Sequence, residues 1–283
     1  MSATLLNGRE VSDSVTQSLK ETLQTLPYQP QLVVVRVGED PASVSYVRGK
    51  DRTAKKLGLS SRVEVLPEET PQDELMALIA ELNADEEVDG ILVQDPLPAH
   101  LDIKPVQEAI DPDKDVDGFH PVNVGRLWSG QKALVPCTPA GMIRIMDHYD
   151  LPIEGKHAVI IGRSNLVGKP AAALFLQRHA TVSLAHSRTQ DLPGLVKQAD
   201  IIVAAVGRQA LVTPDIVKPG AVVLDVGITR VDGKLKGDVH PDVAEVAGYL
   251  TPMPGGTGPM TVAMLMQNTF DAAAMRRGDK SGQ

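Results

Sequence analysis

Tyr46 and Lys50 stand four residues apart in the segment ASVSYVRGKDRTAKKL, which Asp40-Pro41 opens and Gly58 closes as a helix. At that spacing both side chains leave one helix face and can meet at a common ligand. A phenol and an amine so placed could stack on a planar ring and move a proton. A packed tyrosine ring beside a solvated lysine is the competing reading, and spacing alone favours it. Downstream, KDVDG offers Asp117, whose ionised carboxylate could accept two N–H donors from a heterocycle edge, with Asp115 as competitor. Acidic residues in a glycine-bounded loop are more often solvated or form Asx-turns.

A second chemistry lies in HAVIIGRSNLVGKP, where Gly162 ends a buried strand and Gly168 starts a helix, the context of a dinucleotide-binding turn. Backbone N–H groups there can hold a pyrophosphate. Ser164 occupies the place of the middle glycine, so the fingerprint is broken and a purely structural turn stays open. The next strand, TVSLAHSRT, ends in Ser187 and Arg188 instead of a carboxylate. A carboxylate would repel a 2′-phosphate and Arg188 would bind it, with Arg163 as a second contact, so NADP is the expected cofactor. An ordinary solvated arginine is the alternative. Tyr-x-x-x-Lys also marks short-chain dehydrogenases, but there the cofactor loop precedes the pair within one domain. Here the pair comes first and belongs to the other α/β half, which makes Tyr46 a candidate stacking residue.

Rigid elements must position these groups. Val11, Val15, Leu19 and Leu23 recur every four residues after Ser and Asp cap candidates and predict a first helix. QLVVVRVG, RVEVL and GILVQ are β-branched runs separated by helical segments, so parallel pairing is expected. Val44, Val47, Ala54 and Leu57 form the inward stripe of the Tyr46 helix. Another helix is expected with Thr70 as N-cap, Pro71 at N1 and Leu75, Leu78, Ile79 and Leu82 inward. A second cycle runs from HAVIIG through a helix reaching 171–177, TVSLAHS, a helix near Leu195, ADIIVAAVG and AVVLDVG. PAGMIRIMDHY predicts a helix between the cycles, and a last helix is expected over about 261–277 after the loop TPMPGGTGPM. The pattern leaves open which half that helix packs on. The tail GDKSGQ is expected to fray.

A chain of 283 residues favours two domains. Hydrophobic residues at 42% and charged residues at 23% describe a globular protein, and 3% aromatics shift core building onto aliphatic chains. A net charge of -8 counts against a nucleic-acid surface. Cys137 is alone, which excludes an intrachain disulfide or a cysteine zinc cluster and fits a reducing compartment. The histidines show no ligand spacing, so no metal is expected. With no apolar run of about 18 residues and no leader-like start, no membrane association and a cytoplasmic address are expected.

Seven segments, ASVSYVRGK, ILVQDPLP, DKDVDGFHPVNVGRL, PCTPAG, GRSNLVGKP, GDVHPDV and TPMPGGTGPMTVAML, run in order over nearly the whole chain. Together they resemble the bifunctional methylenetetrahydrofolate dehydrogenase/methenyltetrahydrofolate cyclohydrolase family. The resemblance implies a two-domain α/β chain: an N-terminal α/β catalytic, folate-binding domain over 1–143 with 258–283, and a Rossmann-like NADP-binding domain over 144–257. The C-terminal helix would return to the first domain, and folate would lie in the cleft. It also implies a homodimer, tetrahydrofolate one-carbon derivatives as ligands, and a place in one-carbon metabolism and purine biosynthesis. By resemblance Lys50 is the catalytic lysine, Gln94 bonds it, Tyr46 stacks on the pterin and Asp117 binds it. Gly162, Arg163, Ser164 and Gly168, with Ser187, Arg188 and Ile228, would bind NADP. Pro254, Gly255 and Gly256 would wall the folate site, although a bare linker is the other reading of that loop.

The implied chemistry fits these residue types. Hydride loss from 5,10-methylenetetrahydrofolate is driven by a nitrogen lone pair and needs orientation more than a base. Hydrolysis of the resulting cation needs a group that takes a proton from water, and an amine does so only while partly neutral, a state that partial burial beside a neutral amide favours. Two positions depart from the family's commonest pattern: Asp95 stands where leucine is usual, and Asp51-Arg52 follows the lysine. An ionised Asp95 turned into the site would hold the lysine protonated; turned to solvent, it would not. A two-domain NAD(P)-dependent dehydrogenase of another small substrate, and a non-catalytic folate or nucleotide binder, are the competing functions.

Overall fold

The computed structural model describes residues 2–231 and 233–278, so the tail from 279 onward lies outside the described residues. In chain order the elements are β1 (Thr4–Leu5), α1 (Gly8–Leu23), β2 (Gln31–Val37), α2 (Pro41–Leu57), β3 (Ser60–Leu66), α3 (Gln72–Ala84), β4 (Gly90–Val93), α4 (Ile103–Ala109), α5 (Pro121–Trp128) and α6 (Cys137–His148). There follow β5 (His157–Ile161), α7 (Gly168–Gln177), β6 (Thr181–Ala185), α8 (Leu192–Val196), β7 (Ile201–Ala204), β8 (Val222–Asp225), β9 (Thr229–Val231), β10 (Lys234–Lys236), β11 (Tyr249–Leu250) and α9 (Thr257–Arg277). The chain divides into two compact units, 1–14 with 136–263 and 15–135 with 264–283, so the crossings fall inside α1 and α9.

In the unit of 15–135 and 264–283, the sheet order is β3-β2-β4 with parallel pairing throughout. β2 is central, and its LVVVRV run is buried on both faces, as expected of a parallel strand covered by helices. Val33 and Val35 pack with Ile91, Leu75, Ile79 and Leu82. Each such fully buried aliphatic chain stabilises the fold by about 1.5–3 kcal/mol. α2 forms for the reasons its ends suggest: the Asp40 carboxylate accepts from Ser43 N at 2.8 Å, Pro41 takes the first turn, and Gly58 ends the helix at φ 96°. Val47, Ala54 and Leu57 are buried, with Ser43 completing the stripe and Val44 only partly covered.

Thr70 is not the cap of α3. Pro71 itself is extended and occupies the cap position, no side chain caps the helix, and the buried Thr70 hydroxyl has no partner. Displaced by one residue, that hydroxyl cannot reach the first free amides. The first helix likewise starts earlier than its apolar stripe suggests, with Asn7 Oδ1 accepting from Arg9 N at 3.1 Å. The C-terminal end of α9 is fixed by charge: Arg276 and Arg277 both bond the buried Asp89 carboxylate, at 2.9 and 2.7 Å. The last helix thus returns to the half that holds β2, as the family resemblance implied.

In the unit of 1–14 and 136–263, six parallel strands run in the order β1-β11-β8-β7-β5-β6. The chain leaves β5 for β6 on one side and then crosses to β7 on the other, the switch point of a doubly wound sheet. Val159, Ile161, Ile202, Ala204 and Val223 build its core. α9 begins four residues before the expected 261. No helix among the described residues is long and apolar enough to cross a membrane.

Candidate active site

Helix α2 presents Tyr46 and Lys50 one turn apart. Tyr46 is 63% exposed, so its ring is not a core group. Lys50 Nζ donates to Gln94 Oε1 at 3.0 Å, and Gln94 Nε2 donates to the Asp95 carbonyl at 2.6 Å. The second bond turns the acceptor end of the amide toward the amine. Gln94 sits just beyond β4, its own N bonded to Val35 O, so a sheet end fixes its backbone.

Asp117 and Asp115 part company here. Asp115 is buried and saturated: it accepts from Gly118 N, His120 N and Asn123 Nδ2 at 3.1, 2.8 and 3.0 Å. Burial pushes its carboxyl up, and the hydrogen bonds from Asn123 and His120 pull it back. It is a turn-forming group. Asp117, two residues on, is partly buried and receives no hydrogen bond from the described residues. Burial pushes it up to about 6, with Lys50 pulling it down and Asp115 and Asp95 pushing it up. An under-partnered carboxylate in the electrostatic field of the amine is available to a ligand.

Two residues that sequence reasoning passed over hold Asp117 in place. Lys114 is 1% exposed and gives its amine to the carbonyls of Leu82, Asn83 and Asp85 at 2.9, 2.7 and 2.7 Å, closing the C-terminal end of α3. Burial lowers its pKa. Asn268 on α9 donates to Val116 O and Val135 O, both at 2.8 Å. A lysine in KDVDG reads as a solvated charge in one dimension, and Asn268 lies 152 residues from its acceptor. Of the two carboxylates near Lys50 in the sequence, Asp51 pairs with Lys55 at 2.9 Å, and Asp95 is exposed.

The other site is built from backbone. At the carboxyl ends of β5 and β7, Gly162 adopts φ 124° and a Cβ there would lie 2.3 Å from Ala205 O. A Cβ on Gly168 would lie 2.0 Å from Gly162 O, so only glycine allows the helix to start this close to the strand. Ser164 Oγ accepts from Val167 N and Gly168 N at 3.1 and 3.3 Å, so the residue that breaks the fingerprint ties the loop to the amides where α7 begins. Arg163, Ser187 and Arg188 are exposed at the same sheet end, because β5 and β6 pair in parallel and Gly162 N bonds Ala185 O at 2.9 Å. No carboxylate follows β6 directly, and a crevice with these cations fits a dinucleotide carrying a 2′-phosphate. Ile228 is 56% exposed. Pro254 follows a cis bond, and the Gly255 carbonyl accepts from Gly8 N at 3.0 Å, so this loop is anchored and is no bare linker.

Known proteins share this fold and sequence. Residues 6–117 match the family model described as tetrahydrofolate dehydrogenase/cyclohydrolase, catalytic domain, and residues 136–277 match that of its NAD(P)-binding domain. A Thermus thermophilus protein called Bifunctional protein FolD is 58% identical over the whole of both chains. The solved structure of a bifunctional FolD enzyme, methylenetetrahydrofolate dehydrogenase/cyclohydrolase, from Campylobacter jejuni covers 97% of this chain and 99% of its own at 46% identity and a TM-score of 0.94. A Trypanosoma brucei N5,N10-methylenetetrahydrofolate dehydrogenase-cyclohydrolase, complexed with NADP cofactor and inhibitor, covers 96% and 97% at 36% identity and a TM-score of 0.89.

Proposed function

The chain belongs to the tetrahydrofolate dehydrogenase/cyclohydrolase family, and on that premise we infer a bifunctional enzyme of folate one-carbon chemistry. It oxidises 5,10-methylenetetrahydrofolate to 5,10-methenyltetrahydrofolate with NADP and hydrolyses that cation to 10-formyltetrahydrofolate. The observation that carries the reading of the site is the Lys50 amine held by Gln94 beside an under-partnered Asp117.

Tyr46 offers an exposed aromatic face on which a pterin can stack. Asp117, once ionised, accepts the paired N–H donors of the pterin edge and so fixes the ring relative to α2. NADP, when bound, accepts the hydride. For that step the protein orients and excludes water; Gly162, Ser164 and Gly168 would shape the cradle, Arg163, Ser187 and Arg188 would hold the 2′-phosphate, and Ile228 would pack beside the cofactor. Hydrolysis asks more of the side chains. Lys50 positions the attacking water and takes its proton, the ring nitrogen takes up a proton as its bond to the one-carbon unit breaks, and Gln94 aims the amine. Pro254, Gly255 and Gly256 supply a stiff wall for folate.

Functionally, 1–143 with 258–283 serves folate and catalysis, and 144–257 serves NADP. The compact units differ from this division by grouping residues 1–14, 136–143 and 258–263 with 144–257. The reading extends to a cytoplasmic homodimer that feeds purine biosynthesis and, with a net charge of -8, does not bind nucleic acid. The direct test follows absorbance of NADPH formed from 5,10-methylenetetrahydrofolate, with NAD as control, and then loss of the methenyl chromophore. Reduction of NADP with a second, hydrolytic phase is expected. No turnover of the folate with either nucleotide would overturn the assignment.

A further inference from the structure

Three backbone N–H groups converge on one buried carboxylate that none of the roles above uses. Asp238 Oδ2 accepts from Val206 N and Gly207 N at 2.7 and 3.1 Å, and Oδ1 accepts from Arg208 N at 2.6 Å. The residue is wholly buried. Its own backbone is held in turn by Asp225, the last residue of β8, whose Oδ1 accepts from Asp238 N at 2.9 Å and whose Oδ2 accepts from Val239 N at 3.1 Å. Burial pushes Asp225 up to about 6, against the pull of those amides. Two glycines make room for the pair: a Cβ on Gly227 would lie 1.9 Å from Asp238 Oδ1, and one on Gly237 would lie 1.8 Å from Asp225 Oδ2.

What the Asp238 carboxylate holds is one wall of the crevice at the switch point. Segment 206–208 leaves β7 just after Ala205, whose carbonyl lies against Gly162. The Gly207 carbonyl accepts from Thr229 Oγ1 at 3.0 Å, one residue past the exposed Ile228. Without an acceptor, three clustered N–H donors would be left unsatisfied, and the segment would have to turn them toward water. An asparagine at 238 has a single acceptor oxygen, and its amide hydrogens would face the donors.

The geometry points to Asp238 as a positioning residue for the dinucleotide: its carboxylate holds segment 206–208, and through it Ile228, in the shape that receives NADP. This rests on the NADP reading above. A hydrolytic step that needs no nucleotide supplies an internal control, because it depends on Lys50 and Gln94.

The test compares the full-length wild type with Asp238→Asn and with Gly227→Ala, which displaces the carboxylate without removing its charge. NADP affinity is measured by calorimetry, methenyltetrahydrofolate hydrolysis by absorbance, and amide exchange across 205–208 in nucleotide-free protein by mass spectrometry. Both variants are expected to bind NADP at least 10-fold more weakly, to exchange faster at 205–208, and to keep cyclohydrolase kcat/KM within about twofold. NADP affinity within twofold of wild type, unchanged exchange, or a parallel loss of hydrolysis and binding, misfolding included, overturns the proposal. Failure of the wild type itself to bind NADP overturns the cofactor reading instead.

Discussion

The two candidate sites of this chain are built by opposite means. Around Lys50 the working groups are side chains with few partners: the amine makes one hydrogen bond to Gln94, and Asp117 receives none from the described residues. Around Gly162 the cradle is backbone, shaped by glycines at close approach and by carboxylates turned inward to amides. Charges that scaffold are saturated, as Lys114, Asp115 and Asp238 are; charges left for a ligand are not. Proton transfer needs a side chain whose protonation can change, whereas nucleotide binding needs donors that stay fixed.

The largest effect should come from the under-partnered amine. Lys50→Met should lower cyclohydrolase kcat by about 10²–10⁴-fold, the range of general acid–base catalysis, and reduce NADP-linked oxidation far less. Parallel assays of both activities decide it. Equal, small losses would break the contrast drawn between the two sites.

Next in size is the cation edge of the glycine crevice. Arg188→Ala should raise the KM for NADP by about 10- to 100-fold, the worth of a hydrogen bond to a charged group, while leaving the KM for NAD and the hydrolysis rate near wild type. Initial-rate kinetics with both nucleotides would show whether the phosphate is read here; an equal rise for NAD and NADP would show that it is not.

A third effect is set by pH. On the proposed role, in which Asp117 meets the pterin as a carboxylate, the KM for folate should climb as pH falls through about 6. Its stability contribution has the opposite sign. A carboxyl raised by burial is most comfortable protonated, so its contribution is fully present below the unfolded value of 3.8 and is lost as pH rises through about 6. Asp117→Asn should therefore raise Tm at pH 7.5 and lose that advantage in acid, while abolishing folate binding at both. Thermal unfolding as a function of pH checks the sign.

Much of this was legible in one dimension, and the failures are instructive. Parallel β/α cycles, the Asp40 cap, the Gly58 stop and the last helix all follow from local chemistry and periodicity. The glycine loop at β5 was readable because its residues sit at element ends, where a short stretch of sequence determines the geometry, whereas the pairing of Lys50 with Gln94 came only from the family resemblance. Thr70 misled because a threonine before proline looks like a cap, and only the extended backbone of Pro71 shows that the helix starts one residue later. Lys114, Asn268 and Asp238 were invisible for a different reason. Their partners are backbone groups of distant segments, and no side-chain pattern records which carbonyl or amide a fold will leave open.

The smallest effect isolates Asp95. It is exposed, and its backbone carbonyl, not its carboxylate, orients Gln94. Its charge still reaches Asp117 and is one of the influences that raise that carboxyl. Asp95→Leu keeps the orienting carbonyl and removes the charge, so the amine and its amide partner should stay in place and kcat for hydrolysis should change by less than about threefold, since exposed charges interact weakly through water. The acid limb of the folate KM profile should nevertheless move to lower pH, because Asp117 would lose a repulsive neighbour. Comparing KM–pH profiles of wild type and variant at low and high salt separates the two: a shift that salt abolishes belongs to the Asp95 charge, and a fall in hydrolysis that salt does not touch would mean that Asp95 acts on Lys50 directly.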